Sequence, residues 1–345
     1  MQNVDFLNAI RAVATAGYKE RIPTATQTNL TDIMTTIMTY KETKEEFTET
    51  ILNKIVKTKV VNKLYNNPLK FFKKEPLPFG KTIESVFVDL IKAKNFNEHF
   101  GTGNNEASSL LAKEKPIVKV EYYSENFKHK YKMSISDEQL KSAFMSPTGL
   151  AEMTQGIIRS GTSSAEYDEY LMIRHLLSTL TIKDIEITGF NALSEDKQAK
   201  KLTKVIQSQV QKFRFMSSEY NNQGVNTHSM PSDCCIITTP DNLANLNVEL
   251  LATAFNVSYA EMPSRIVVID RFEKTPDSGT TWVEDTDTLC VIADYDLIQF
   301  RNTLDTWETF RNPDTLTTNM FHHVWGSACG CGFVNAVKIK KEATE

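Results

Sequence analysis

The sequence predicts an α+β fold, and three observations carry that prediction. Strand-like alternation runs through Thr82–Ile91, Ile117–Tyr123 and Phe127–Met133. A helical repeat of Tyr167, Tyr170, Leu171, Leu177 and Leu180 follows Ser163. From Cys234 onward, short apolar strands alternate with helix signals and give way to a strand-rich C-terminus.

Taken in order, Val4–Ala16 reads as an amphipathic helix through Val4, Leu7, Ala9, Ile10 and Val13. Thr24–Thr31 is a polar break. Leu30–Val56 is helical in pattern, but its threonines lower intrinsic propensity. The first 60 residues are therefore expected to form an extended arm with short helices. Asn66–Glu84 (NNPLKFFKKEPLPFGKTIE) is unlike anything else in the chain. Pro68, Pro76 and Pro78 each remove a backbone donor and fix φ, which excludes a long helix or a central strand. It nevertheless holds Leu69, Phe71, Phe72, Leu77 and Phe79, too many apolar anchors for a linker. Such a segment suits a stiff strap laid over another surface.

Residues 82–133 read as one long β-hairpin, with Val86, Val88 and Leu90 on one face and a loop holding Gly101 and Gly103 at its tip. A two-stranded ribbon is marginal alone in water, so it must pack on a body, and one this long is expected to reach another subunit. Ser136 starts a helix with Asp137 and Glu138 in its first turn, where negative charge suits the macrodipole. Ser163 and Glu166 form a Ser-x-x-Glu capping box that predicts a long helix starting there. Lys197–Phe215 is a further helix. CCIITT (234–239) is a buried strand, Thr239 and Pro240 open the next helix, and RIVVID (265–270) and TLCVIA (288–293) are buried strands. Residues 297–340 are strand-rich.

The chain has 345 residues, 41% hydrophobic and 24% charged, which is globular and enough for one large or two ordinary domains. A net charge of -4 and a pI near 6.0 argue against a general nucleic-acid binder. Charge is uneven, however: residues 51–81 carry lysines 54, 57, 59, 63, 70, 73, 74 and 81 against Glu75 alone. Those lysines are either a solvated strip or an arm that meets carboxylates or nucleic acid. No run of about 18 apolar residues suggests a membrane helix. The N-terminus lacks a secretory signal pattern. Five cysteines do not make a disulfide framework, which fits folding in a reducing compartment.

Chemistry-bearing clusters are weak. His322, His323, Cys329 and Cys331 could in principle hold zinc, but adjacent histidines on a strand point to opposite faces and Cys-x-Cys is tighter than usual spacings. Buried free thiols are the preferred reading, as for Cys234 and Cys235. No nucleophile elbow, Walker loop or dinucleotide fingerprint occurs. Asp285 and Asp287 read as a solvated loop more than as a cation site. No cofactor, metal site or catalytic residue is assigned, and no covalent cross-link is expected.

The strap, together with DEYLMIRHLL (168–177), NVELLATAFN (247–256), VVID (267–270), RNPDTLTTNMFHHVW (311–325) and FVNAV (333–337), closely resembles segments of the major capsid proteins of phi-29-like podoviruses, in the same order. The resemblance covers about residues 60–340 and implies the Hong-Kong-97-like (HK-97-like) capsid fold. It implies an N-terminal arm and strap at 1–81, an E-loop with flanking P-domain strands at 82–133, and P-domain helices including a spine helix from Ser164 at 134–180. An axial A-domain at 181–300 and returning C-terminal strands at 301–345 complete it. The best-known member continues into an immunoglobulin-like domain, for which no counterpart is expected here.

The function so implied is a non-enzymatic major capsid protein, self-assembling into an icosahedral or prolate head around a tailed phage's double-stranded DNA. Expected partners are copies of itself in hexamers and pentamers, a separate scaffolding protein, a portal protein at one vertex and non-specifically held DNA, with no membrane. Assembly would take place in the host bacterial cytoplasm, and the product would be the virion capsid. Phe71, Phe72, Phe79, Phe96, His99 and Phe100 are the candidate inter-subunit contacts. Two other classes compete: a zinc-dependent enzyme built on the His/Cys group, and a DNA-binding module built on the lysines of 54–81.

Overall fold

In the computed structural model, which describes residues 3–57, 65–78, 82–91, 93, 115–145, 148–244, 264–274 and 282–342, the chain opens with four helices. These are α1 (Asn3–Val13), α2 (Ala16–Arg21), α3 (Leu30–Thr39) and α4 (Lys41–Lys57). Helix α3 is threonine-rich, yet the hydroxyls of Thr35, Thr36 and Thr39 donate to carbonyls four residues back at 2.7–2.9 Å and so stay satisfied. Its apolar face, Ile33 and Ile37, is fully buried.

Next in the helix series come α5 (Asp137–Met145) and α6 (Gly149–Thr179). Phe6, Leu7, Ile10, Ile33, Ile37 and Phe47 form one apolar cluster with Leu140, Phe144, Leu150 and Ile157. This corrects the expectation of an extended arm: residues 3–57 are folded against α5 and α6. Burial of aromatic and branched side chains, at roughly 1.5–3 kcal/mol each, outweighs the weak propensity of the threonines.

Helix α5 starts where expected. Ser136 Oγ accepts from the Gln139 amide at 3.2 Å, and Gln139 Oε1 accepts from the Ser136 amide at 3.1 Å, a reciprocal cap. The start at Ser163 is corrected. Helix α6 is continuous from Gly149, so Ser163 and Glu166 lie in its interior. Its first half is held by packing of Leu150 and Ile157, and Gly161 leaves room for the Trp307 indole, which a Cβ there would overlap.

The strands begin with β1 (Ile83–Val88), β2 (Val118–Tyr123) and β3 (Phe127–Ser136). β1 and β2 pair antiparallel, with Ile83 opposite Tyr123. β3 does not extend this hairpin. The polar Ser124–Asn126 turn redirects it into a different sheet, which shortens the hairpin expected over 82–133. Then follow β4 (Lys183–Ile187), α7 (Glu195–Lys212), β5 (Cys234–Thr238), β6 (Arg265–Val268), β7 (Glu273–Lys274), β8 (Val283–Glu284) and β9 (Thr288–Asp294). The chain closes with β10 (Ile298–Asn312), β11 (Thr317–Gly330) and β12 (Ala336–Lys341).

A five-stranded mixed sheet of order β4-β12-β9-β5-β6 is covered on both faces. Alternation decides which side chain goes where. Cys235, Ile237, Val291 and Ala293 face Tyr170, Ile173 and Leu177 of α6. Cys234, Ile236, Cys290 and Ile292 face Leu202, Ile206 and Val210 of α7. Two covered faces explain why β5 and β9 read as unbroken apolar runs. The second sheet, β10-β11-β3, is antiparallel, and Met320 and Val324 are buried on its packed face.

Gly326 sits where β10, β11 and β3 meet. A Cβ there would strike the Arg301 carbonyl and the Phe127 ring. Because a backbone atom cannot yield as a side-chain end can, Gly326→Ala is expected to destabilise by about 1–3 kcal/mol. Denaturant unfolding would read this as a lowered midpoint at unchanged slope.

Candidate assembly surfaces

The strap is seated on its own subunit. Asn67 Oδ1 accepts from the Leu69 amide at 2.9 Å, starting a short turn that drives Leu69 and Phe72 into the cluster between α6 and the mixed sheet. The Lys74 amide donates to the Phe300 carbonyl at 2.8 Å and the Leu77 amide to that of Asn302 at 2.9 Å, so the strap runs along β10. Of the eight lysines in this region, Lys70, Lys73 and Lys74 have described side chains. They pair with Glu166 (2.7 Å), Glu169 (2.5 Å) and Asp296 (2.6 Å). These three cations clasp the strap to its own subunit.

The candidate contact residues divide accordingly. Phe72 is 0% exposed and has no surface to offer a neighbour, which corrects its expected inter-subunit role. Phe71 is half-buried, edge-on to Tyr295 at 5.3 Å with the Arg265 guanidinium over its ring at 5.5 Å. Phe79, Phe96, His99 and Phe100 lie outside the described residues, as do all of NVELLATAFN, the Gly101 and Gly103 loop, and Lys59, Lys63 and Lys81 of the lysine run.

Sequence reasoning missed the lock on α6. Arg174 is nearly buried and reaches Asp270 and Glu273, each at 2.5 Å, while the Tyr170 hydroxyl also donates to Asp270. Burial would raise the Asp270 pKa, but the Arg174 and Tyr170 hydrogen bonds outweigh it and hold the carboxyl below its ordinary range. Asp137 behaves likewise: burial pushes up, and Lys44 and Arg311 pull it down further. A carboxyl depressed in the folded state contributes stability above its unfolded pKa of about 3.9, and that stability is lost as pH falls through the folded value. Asp294, raised by burial, slopes the other way. Acid titration of stability should therefore show a loss below about pH 4 that Asp270→Asn flattens. An identical acid limb in the variant would contradict the lock.

The β1–β2 ribbon shows two unlike faces. Inward, Phe87 stacks on Phe333 at 5.7 Å, and Ile83 joins Tyr123, Val225 and Cys331. Glu121 fastens it by accepting from the Gly332 amide at 3.0 Å and Gln223 Nε2 at 2.8 Å. Outward, Val86 stands opposite Val120 and Val88 opposite Val118. Val86 and Val88 are each 55% exposed, Tyr122 67% and Ile91 88%. The alternation over Val86, Val88 and Leu90 was legible in the sequence, but it marks the open face and not the packed one.

The His/Cys group is spread out. His322 is buried, bonded to Asp305 at 2.8 Å and stacked on Trp307 at 4.4 Å, while His323 lies on the opposite face 4.0 Å from Glu308. Seven residues of strand place His322 about 23 Å from Cys329. Among the described residues no group of three or more His, Cys, Asp or Glu is gathered as a metal would need. Burial pushes the Cys234 thiol up to about 12 and raises Cys235, Cys290 and Cys331 as well, which keeps these sulfurs protonated and unreactive. Asp285 accepts from the Asp287 amide at 3.1 Å and from Thr288 Oγ1 at 2.6 Å, and Asp287 pairs with Lys274 at 3.1 Å.

The chain resembles known proteins over nearly all its length. It is 29% identical to the major capsid protein of Bacillus phage B103, covering 97% of this chain and 72% of that one. It is 25% identical to the major capsid protein of Streptococcus phage Cp-1, covering 94% and 90%. In three dimensions it is similar to a chain of the Staphylococcus phage Andhra capsid, with a TM-score of 0.62, 14% identity and coverage of 83% and 87%. A chain of the cyanophage P-SCSP1u capsid aligns with a TM-score of 0.53 at 12% identity, covering 83% and 91%. These likenesses establish a mixed α+β, Hong-Kong-97-like phage capsid fold. A profile of Phi29-like phage major capsid proteins matches residues 7–340. The chain thus belongs to the Phi29-like phage major capsid protein family, structural virion proteins that form the phage head shell and are not enzymes.

Proposed function

We propose that the chain builds its shell by interlocking with copies of itself through the β1–β2 ribbon, which corresponds to the E-loop of the fold. The observation that carries this reading is the open apolar ladder of Val86, Val88, Val118 and Val120 on a ribbon whose other face is already packed. A two-stranded element that leaves such a face in water gains stability when a neighbour covers it. Phe79, which precedes β1 in sequence, and Phe96, His99 and Phe100, which stand between β1 and β2 in sequence, join this contact. Helix α6 serves as the spine of the P-domain, and the mixed sheet with α7 forms the axial A-domain. Residues 3–57 belong with the P-domain by their packing.

Subunits gather as hexamers and pentamers, and many weak contacts per subunit add up to a stable closed shell. A separate scaffolding protein guides assembly in the host cytoplasm, a portal protein occupies one vertex, and double-stranded DNA fills the head without sequence-specific binding.

The test is Val86→Glu combined with Val88→Glu. Both positions are exposed, so each change should leave the isolated subunit's unfolding free energy within about 0.5 kcal/mol of its starting value. Shells should be lost under electron microscopy. Deletion of residues 97–113 is expected to act the same way. Normal shells from either variant would contradict the ribbon's role.

A further inference from the structure

Three lysines stand at alternate positions on β3: Lys128, Lys130 and Lys132, all exposed. β3 is an edge strand of its sheet, and residues two apart on a strand share one face at about 6.8 Å spacing. The register sets Lys128 beside Trp325, Lys130 beside His323 and Lys132 beside Phe321. The ammonium of Lys128 lies 4.5 Å from the Trp325 ring centre, and those of Lys130 and Lys132 lie 5.7 and 6.0 Å from that of Phe321. The opposite face of the sheet, with Met320 and Val324, is the one buried in the body. The lysine face is the open one.

The subunit neutralises this row of lysines little, unlike those of the strap. Lys70, Lys73 and Lys74 each meet an acid of their own chain. On β3, Lys128 shares Glu125 at 2.8 Å, and the nearest acid across the sheet, Glu308, sits by His323. Among the described residues Lys130 and Lys132 form no ion pair. A ring beneath an ammonium steadies it without cancelling its charge.

We infer that this open sheet face lies against the phosphate backbone of duplex DNA. A regular rank of cations on an open sheet face complements a regularly charged polymer, and phosphate contacts of this kind carry no sequence information. The inference rests on the reading that the shell encloses DNA, and it assigns the contact to the β3 lysines instead of those of 54–81.

The test measures binding of the full-length, unassembled subunit to a short mixed-sequence duplex across a salt series. Each lost phosphate contact flattens the slope of log K against log salt by about 0.9, so Lys130→Gln with Lys132→Gln should flatten it by about 2 and weaken binding at low salt. The exposed α7 pair, Lys197→Gln with Lys204→Gln, should leave the slope in place. An unchanged slope in the β3 variant, or the whole loss in the α7 variant, would overturn the inference. Shell formation is scored in parallel. Wild-type shells with no β3 effect on DNA sink this inference alone, whereas absence of wild-type shells sinks the capsid reading whatever the slope. A β3 variant that loses shells but keeps its DNA slope would hand the face to an acidic protein partner and so overturn the assignment.

Discussion

Phe72→Ala is expected to cost the isolated subunit about 3–5 kcal/mol. The ring is fully buried among Leu69, Tyr170, Ile173, Val291 and Phe300, where α6, the mixed sheet and β10 converge. Truncation leaves a cavity that the proline-stiffened strap is poorly able to close. Equilibrium unfolding by urea should show the loss in the unassembled protein. Phe71→Ala, at a half-buried site, should cost markedly less. If Phe72→Ala left the free subunit unchanged and affected assembled shells only, the strap would be seated on a neighbour and the packing described above would be wrong.

The second large effect is expected at Arg174→Ala, about 3 kcal/mol, at the low end for breaking a buried ion pair. The substitution strands Glu273, whose side chain is largely buried, and removes one of the two side chains held by Asp270. Arg271, 3.3 Å from Glu273, offers partial relief, and Asp270 is half in water, which is why the low end is chosen. Arg174→Met, which keeps the side-chain volume, should lose as much or nearly so, because the cost comes from the stranded acid. Full rescue by methionine would show that Arg174 acts through packing.

Much of the fold was legible because local pattern and tertiary burial agree. CCIITT and TLCVIA read as buried strands because both faces of their sheet are covered, and Ser136 read as a helix start because the cap is a local device. The failures share a cause. Ser163 and Glu166 fit a capping box, but a motif of spacing cannot know that Leu150 and Ile157 pack well enough to carry the helix through from Gly149. The threonines of α3 suggested looseness, whereas their hydroxyls bond back to the helix and Ile33 and Ile37 anchor it. The hairpin expected over 82–133 is longer than the observed one because alternation identifies a strand and not its partner. The Ser124–Asn126 turn was the available sign that β3 departs.

At the candidate surfaces the same limit holds. The apolar positions of β1 were visible in the sequence, but whether the Val86 face or the Phe87 face is open depends on Val225 and Phe333, which are far away along the chain. The strap was recognised by composition, and its seat was not, because the acids that clasp it (Glu166, Glu169 and Asp296) come from α6 and the loop before β10. The lock of Arg174 with Asp270 and Glu273 likewise joins residues about a hundred positions apart, and no local signal announces it.

The central claim is that this subunit assembles with copies of itself into a closed head shell. Electron microscopy of the purified chain, produced with and without the other structural proteins encoded beside it, tests that claim most directly. Closed shells, or sheets and tubes of the same lattice, are the expected result. A folded protein that stays monomeric under all conditions, even beside those other proteins, would contradict it.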